Sequence, residues 1–256
     1  MDSGNNNART ESKNTVLIIG DDRGNMNNAR SSWPAGFYIG ERQNTLSPEL
    51  VEAFRTIPVA VAGDCMGRIS GTCGLQRYHQ DINISICGPA ITVKVRPGDN
   101  LMIHKALEQA QAGDVVVIDG GGDVTQALIG GLIRTTALRK QIAGFVVDGA
   151  IRDLAEWADG QVPVFAKAHT HRGPDKSGPG EVNVPIACSG MVVNPGDLLL
   201  ADSDGALAIT PAQAPDVLVR AQAHLKKEDT IRENNAAGTS DPERFNSILR
   251  KLGCPL

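Results

Sequence analysis

The chain has 256 residues, a formal net charge of −4, 21% charged residues and 41% hydrophobic residues. That is enough for one large domain or two small ones with a substantial core, and the lack of a Lys/Arg run or a basic stripe argues against nucleic acid as a partner. No apolar run is as long as a membrane span, and the first fifteen residues are polar throughout, unlike a signal peptide, so a cytoplasmic location is expected.

Residues 1–35 are rich in Asn, Asp, Gly and Arg and read as a polar N-terminal extension, with "VLIIG" at 16–20 as their single apolar run. "TLSPELVEAF" predicts a helix with Ser47 as N-cap and Pro48 at its first position. From residue 90 the pattern alternates. "AITVKV" predicts a strand, "DNLMIHKALEQAQAG" a helix with Asp99 as cap and Gly113 as terminator, and "DVVVIDGGG" a buried strand that ends in glycines. "GLIRTTALRKQ" follows as a helix, "GFVVDG" as a strand, "RDLAEWA" as a short helix and "VPVFAKA" as a strand. Alternation of this kind predicts an α/β layered domain.

After residue 180 the chain turns almost wholly β. "GDVVVID" and "GDLLLAD" are built alike, which predicts a second sheet. A long polar helix over 211–234 and a short helical tail close the chain. The domain boundaries expected are 1–35 for the extension, 36–235 for the catalytic domain and 236–256 for the C-terminal helical tail. The five cysteines show no C-x-x-C pair and read as reduced, mostly buried thiols.

Two elements carry chemistry. The passage "DGGGDVTQALIGG" lies between a strand and a helix, where free backbone N–H groups and the helix dipole favour an anion. It has neither the Gly-Lys-Ser/Thr of a Walker loop nor the dinucleotide fingerprint, so a small carboxylate suits it better than a nucleotide. The glycines could equally serve a tight crossover. The second element is "DGAIRD". Arg152 can grip a carboxylate or ketone oxygen in fork geometry. Asp153 can ligate a hard cation, and Glu156, one helical turn on, can hold one of that cation's waters. The plain alternative is a helix start whose carboxylates complement the dipole.

The spacing Gly131, twenty residues, Arg152, Asp153, two residues, Glu156 resembles the signature of the RraA-like family. That family includes the class II 4-hydroxy-4-methyl-2-oxoglutarate/4-carboxy-4-hydroxy-2-oxoadipate aldolases. "PGDNLMIHKALEQAQAGDVVVIDGGGD", "VPVFAKA", "RGPDKSGPGEVNVPI" and "NPGDLLLADSDGALAI" extend the resemblance over residues 45–235. It implies a three-layer β/β/α swivelling domain assembled as a homotrimer or hexamer, with the site between subunits. It also implies a substrate carboxylate held by the backbone of Gly130, Gly131, Leu132 and Ile133, Arg152 on the substrate, and Mg²⁺ or Mn²⁺ on Asp153.

Many family members carry an acid after the first loop glycine, where this chain has Gly131, so Glu156 is expected to supply that charge. Glu228 is the candidate for an acid reaching the metal from a neighbouring subunit. His169 and His171, in "AHTHRGPDK", lie in a loop where the resemblance leads one to expect fewer histidines, and solvent or substrate is the simpler expectation for them than metal. The implied activity is a metal-dependent lyase, a pyruvate aldolase with oxaloacetate decarboxylase activity. The rival is a non-catalytic, RraA-type protein-binding regulator of a ribonuclease. Bulk at Gly130 is expected to block the carboxylate pocket and spare the metal.

Overall fold

Buried runs such as Val115–Asp119 and Gly144–Ile151 are apolar at nearly every position, as strands covered on both faces must be. In the computed structural model, which describes Met1 and residues 32–256, these strands sit at the centre of a broad sheet. Ala35–Leu256 form one compact unit, and the polar extension expected over 1–35 lies almost wholly outside the described residues. The elements in order are β1 (Phe37–Ile39), α1 (Pro48–Phe54), α2 (Val59–Cys65), β2 (Gln76–Arg77), β3 (Ile86–Val95), α3 (Leu101–Gln109), β4 (Val115–Asp119), β5 (Ala127–Ile129) and α4 (Gly131–Lys140). There follow β6 (Gly144–Ile151), α5 (Leu154–Trp157), β7 (Val164–His169), β8 (Gly180–Val182), β9 (Ile186–Cys188), β10 (Met191–Val193), β11 (Leu198–Asp202), β12 (Gly205–Ile209), α6 (Ala214–Ala236) and α7 (Glu243–Lys251).

The sheet runs β1-β8-β3-β4-β6-β7-β2. Strands β3, β4, β6 and β7 are mutually parallel, and the short β5 adds to β6 in parallel. β3 serves three partners, one of them β8, which pairs antiparallel with its last residues. The first half of β3 pairs antiparallel with β11, and its second half pairs parallel with β4.

Alternation along the central strands sorts their side chains into two cores. Ile91, Val93, Val116, Ile118, Phe145 and Val147 face α3 and α4. Ala90, Val115, Val117, Val146 and Phe165 face β9, β10 and β11 instead. A third cluster joins α1, α2 and α6 to the outer side of β11 and β12. This is the β/β/α layering expected from the sequence, with an added helical cover. The second β unit is divided: β11–β12 continues from β3, while β9–β10 is a separate two-stranded sheet.

Local signals fare unevenly. Ser47 caps α1 as expected, its Oγ accepting the Leu50 N–H at 3.2 Å. Helix α3 ends at Gln109, short of Gly113, and its cap position is Asn100; Asp99 stands one residue earlier and accepts the Leu101 N–H at 2.9 Å. The long helix α6 runs on through residue 235, to Ala236. Of the cysteines, Cys87 and Cys188 are buried, Cys65 and Cys254 half-buried and Cys73 exposed, and none is in a disulfide. Burial pushes the Cys87 thiol up to about 12, which keeps it protonated and unreactive. Among the described residues no helix is long and apolar enough to cross a membrane.

Candidate active site

Three neighbouring strand ends build the site. Ile129, the last residue of β5, is the register partner of Ile151, the last of β6, and Ile151 in turn partners His169, the last of β7. The residues that follow each strand therefore emerge side by side: Gly130 and Gly131, then Arg152 and Asp153, then Thr170 and His171. Backbone bonds fix the alignment, with Arg152 N–H donating to Ile129 O and Thr170 N–H to Ile151 O, both at 3.0 Å. Ligand sites gather at such carboxyl ends of parallel strands because helices start there.

The glycine-rich passage is not one loop, as expected from the sequence, but two. β5 divides it. Gly120 and Gly122 donate their N–H groups to Asp148 O at 3.2 and 3.1 Å, and Gly121 donates to Asp119 Oδ1 at 3.0 Å. That turn is spent on holding β4 to β6. The Gly130–Gly131 pair alone opens a helix, α4, whose N-terminus has no side-chain cap from Gly130. Asp153 Oδ2, from the adjacent strand end, accepts the Gly131 N–H at 2.8 Å. One of the expected carboxylate donors is thus engaged. The first-turn N–H groups of Leu132 and Ile133 lack helical acceptors by geometry.

Arg152 and Asp153 are held from below. The Trp157 indole N–H donates to Arg152 O at 2.9 Å, and Trp157 is fully buried, edge-on to Phe145 with centroids 5.8 Å apart. Burying a ring of this size stabilises the fold by roughly 3 kcal/mol. Asp153 adopts a left-handed conformation (φ 60°, ψ 46°), which turns the chain from β6 into α5. Asp tolerates this better than most residues, yet such backbones gather at functional sites. Arg152 Nε lies 3.5 Å from Asp153 Oδ2, and their side chains are 36% and 39% exposed.

Both glycines are required by close approach. A Cβ at Gly130 would lie 2.4 Å from Asp153 Oδ2 and 2.8 Å from Arg152 Cγ. Bulk there displaces Asp153 as well as the pocket, so the expectation that it would spare the metal is withdrawn. A Cβ at Gly131 would lie 2.3 Å from both carboxylate oxygens of Glu156. Glu156 fills the space that a side chain at 131 would take. Gly131→Ala should leave the melting temperature unlowered, since alanine suits a helix and the Glu156 side chain can swing away. It should weaken Mn²⁺ binding several-fold, read by calorimetry.

A cavity of about 60 Å³ opens between Gly130, Leu132, Ile133 and Arg152 on one side and Asn100, His104 and Lys176 on the other. The last three escaped the sequence reading. Asn100 and His104 lie four apart at the start of α3 and so share a face. Lys176 arrives on a loop that Asp99 pins, its Oδ2 accepting the N–H groups of Ser177 and Gly178 at 2.7 and 2.9 Å. Burial opposes the Asp99 charge, but the N–H groups of Ser177, Leu101 and Gly178 together with Arg96 outweigh it and hold the carboxyl below its ordinary value. Asn100 Nδ2 donates to Leu128 O at 3.0 Å, which leaves its buried Oδ1 as an acceptor without a partner. Burial, then the charge of Lys176, pushes His104 below the usual imidazole value. The helical i, i+4 spacing of Asn100 and His104 was visible in sequence, but nothing local tied it to Arg152.

The donor set fits a hard divalent cation. Such an ion keeps several waters and needs only one or two carboxylates. Asp153 Oδ1 accepts no hydrogen bond from the described residues, and Glu156 stands over Gly131 within the same turn. Among the described residues no three His, Cys, Asp or Glu side chains form a closed metal cage. Glu228 lies on α6, where His224 at 3.2 Å and Arg232 at 2.8 Å engage it; within its own chain it has no hydrogen bond to Arg152, Asp153 or Glu156.

The RraA-like family profile, described as aldolase/RraA, matches residues 48–208. A protein of Halalkalibacterium halodurans, provisionally named a 4-hydroxy-4-methyl-2-oxoglutarate aldolase, is 38% identical over 185 residues, covering 72% of this chain and 87% of its own. The chain belongs to the RraA-like family. Another RraA-like relative, the 4-hydroxy-4-methyl-2-oxoglutarate aldolase of Thermus thermophilus, is 43% identical over 111 residues, 43% of this chain and 68% of that one. The crystal structure of Streptomyces coelicolor RraAS2, described as an unusual member of the RNase ES inhibitor RraA family, superposes with a TM-score of 0.68 at 28% identity, covering 74% of this chain and 98% of that one. The RraA-like signature positions Gly131, Arg152, Asp153 and Glu156 are the ones that the fold brings together.

Proposed function

We propose that this RraA-like protein is a cytoplasmic, divalent-metal-dependent class II aldolase. It would cleave a 4-hydroxy-2-oxo acid to pyruvate and a second oxo acid, and decarboxylate oxaloacetate through the same pyruvate enolate. The observation that carries this reading is the convergence, at adjacent strand ends, of Arg152, Asp153 and a helix N-terminus whose Leu132 and Ile133 N–H groups face no helical acceptor. The aldolase names of two relatives support it.

Retro-aldol cleavage requires a held 2-oxo acid, removal of the C4 hydroxyl proton and stabilisation of the enolate. The N–H groups of Leu132 and Ile133, with Gly130 giving access and Lys176 adding charge, bind the pyruvyl carboxylate. Arg152 orients the keto oxygen in its planar fork. Asp153 and, through water, Glu156 would hold Mg²⁺ or Mn²⁺, which when bound supplies Lewis-acid stabilisation of the enolate oxygen. A water held by Arg152 can take the C4 hydroxyl proton and return it to C3 of pyruvate. The exposure of Arg152 and Asp153 calls for a neighbouring copy to exclude water, and a homotrimer or hexamer in which α6 brings Glu228 belongs to this proposal.

Incubation with 4-hydroxy-4-methyl-2-oxoglutarate and Mg²⁺ should release pyruvate, and EDTA should stop it. The RraAS2 likeness favours a second reading, a protein-binding inhibitor of ribonuclease. Such a protein releases no pyruvate with any divalent ion and slows a ribonuclease instead.

A further inference from the structure

We propose that His169 and His171 form the subsite for the carboxylate on or beyond C4 of the substrate. This rests on the aldolase reading and adds to it the part of the substrate that lies past the pyruvyl half.

Arg152 lines two cavities. One is the 60 Å³ space at the α4 N-terminus, large enough for a carboxylate and little more. The other, of about 290 Å³, is lined by Asp153, His169, Thr170 and His171 as well. The order of the strand ends sets this arrangement, with β5 on one flank of Arg152 and β7 on the other. If the pyruvyl carboxylate occupies the narrow side, the bond between C3 and C4 lies near Arg152 and the departing half extends into the wider side. The groups that meet it there are two imidazoles, a threonine and Leu154, with Asp153 as the only carboxylate of the lining.

One imidazole is braced. His169 Nδ1 lies 3.5 Å from the Tyr78 hydroxyl, and the two rings meet edge-on at 5.7 Å. Tyr78 packs on the core between the central sheet and its helices, and burial raises its pKa, so it stays a protonated phenol at neutral pH. A phenol that donates to Nδ1 fixes the tautomer with its proton on Nε2, and that nitrogen has no partner among the described residues. Among the described residues nothing bonds to the His171 ring either, so both side chains have donors to spare for an anion. Both histidines are exposed, His169 at the end of β7 and His171 two positions on.

The test compares two substrates that differ in that carboxylate alone. 4-Hydroxy-4-methyl-2-oxoglutarate carries it, and 4-hydroxy-2-oxopentanoate has hydrogen in its place. The ratio of their kcat/KM values is measured with Mg²⁺ for the parent, for the double variant His169→Ala/His171→Ala and for His171→Gln. The parent should favour the dicarboxylate at least tenfold, and the double variant should lose at least tenfold of that ratio, chiefly through KM for the dicarboxylate. The single variant should lose part of it, and thermal melting of both variants should match the parent. A ratio unchanged within twofold in a folded, active double variant overturns the subsite and leaves the aldolase reading standing. A parent that cleaves neither acid overturns that reading, and the subsite with it.

Discussion

Asp153→Asn should lower turnover by at least about a thousandfold, the scale of losing a principal electrostatic stabiliser of the enolate. The substitution isolates charge. An asparagine oxygen can still accept the Gly131 N–H that Asp153 Oδ2 accepts at 2.8 Å, and asparagine tolerates the left-handed backbone at this position. The melting temperature should therefore stay within a few degrees of the parent while Mn²⁺ affinity and pyruvate release fall together. If the variant retains near-normal activity, Asp153 is a turn residue and the cation binds elsewhere.

Arg152→Lys should lower kcat/KM at least about a hundredfold, corresponding to roughly 3 kcal/mol of charge-assisted contact. Charge is conserved in this change, so the loss measures geometry. A guanidinium offers two parallel donors and a fixed plane, whereas an ammonium is a point charge on a flexible stem. The surroundings are shaped to the guanidinium: a Cβ at Gly173 would approach its terminal nitrogen to 2.5 Å, and one at Gly130 its Cγ to 2.8 Å. Lysine would leave the space beside Gly173 unfilled. A loss below about threefold in steady-state kinetics would reduce Arg152 to a surface cation.

The two substitutions act on one arrangement that a single strand ending creates. β6 finishes at Ile151, its neighbours finish level with it, and the chain turns at Asp153 under the anchor of Trp157. Side chains placed on such a stem would lose little freedom on binding a ligand, because the backbone that carries them is already fixed by the sheet.

The sequence by itself determined the periodic and the local. Unbroken apolar runs specified the buried parallel strands, Ser47 and Pro48 specified the start of α1, and the spacing from Gly131 to Glu156 specified the family. These signals survive because strand burial, capping and a fixed motif each depend on residues close in the chain. The tertiary structure decided what depends on distant partners. It divided one glycine-rich passage into a sheet clasp at Gly120–Gly122 and a helix start at Gly130–Gly131, because β5 pairs with β6 between them. It seated the Glu156 carboxylate in the space that the missing side chain of Gly131 leaves. It also gathered Asn100, His104 and Lys176 opposite Arg152, through a buried Asp99 that ties the start of α3 to a loop almost eighty residues on. No periodicity encodes such a meeting. Register between strands and the hydrogen-bond needs of one buried carboxylate set it, and both exist only once the chain has closed on itself.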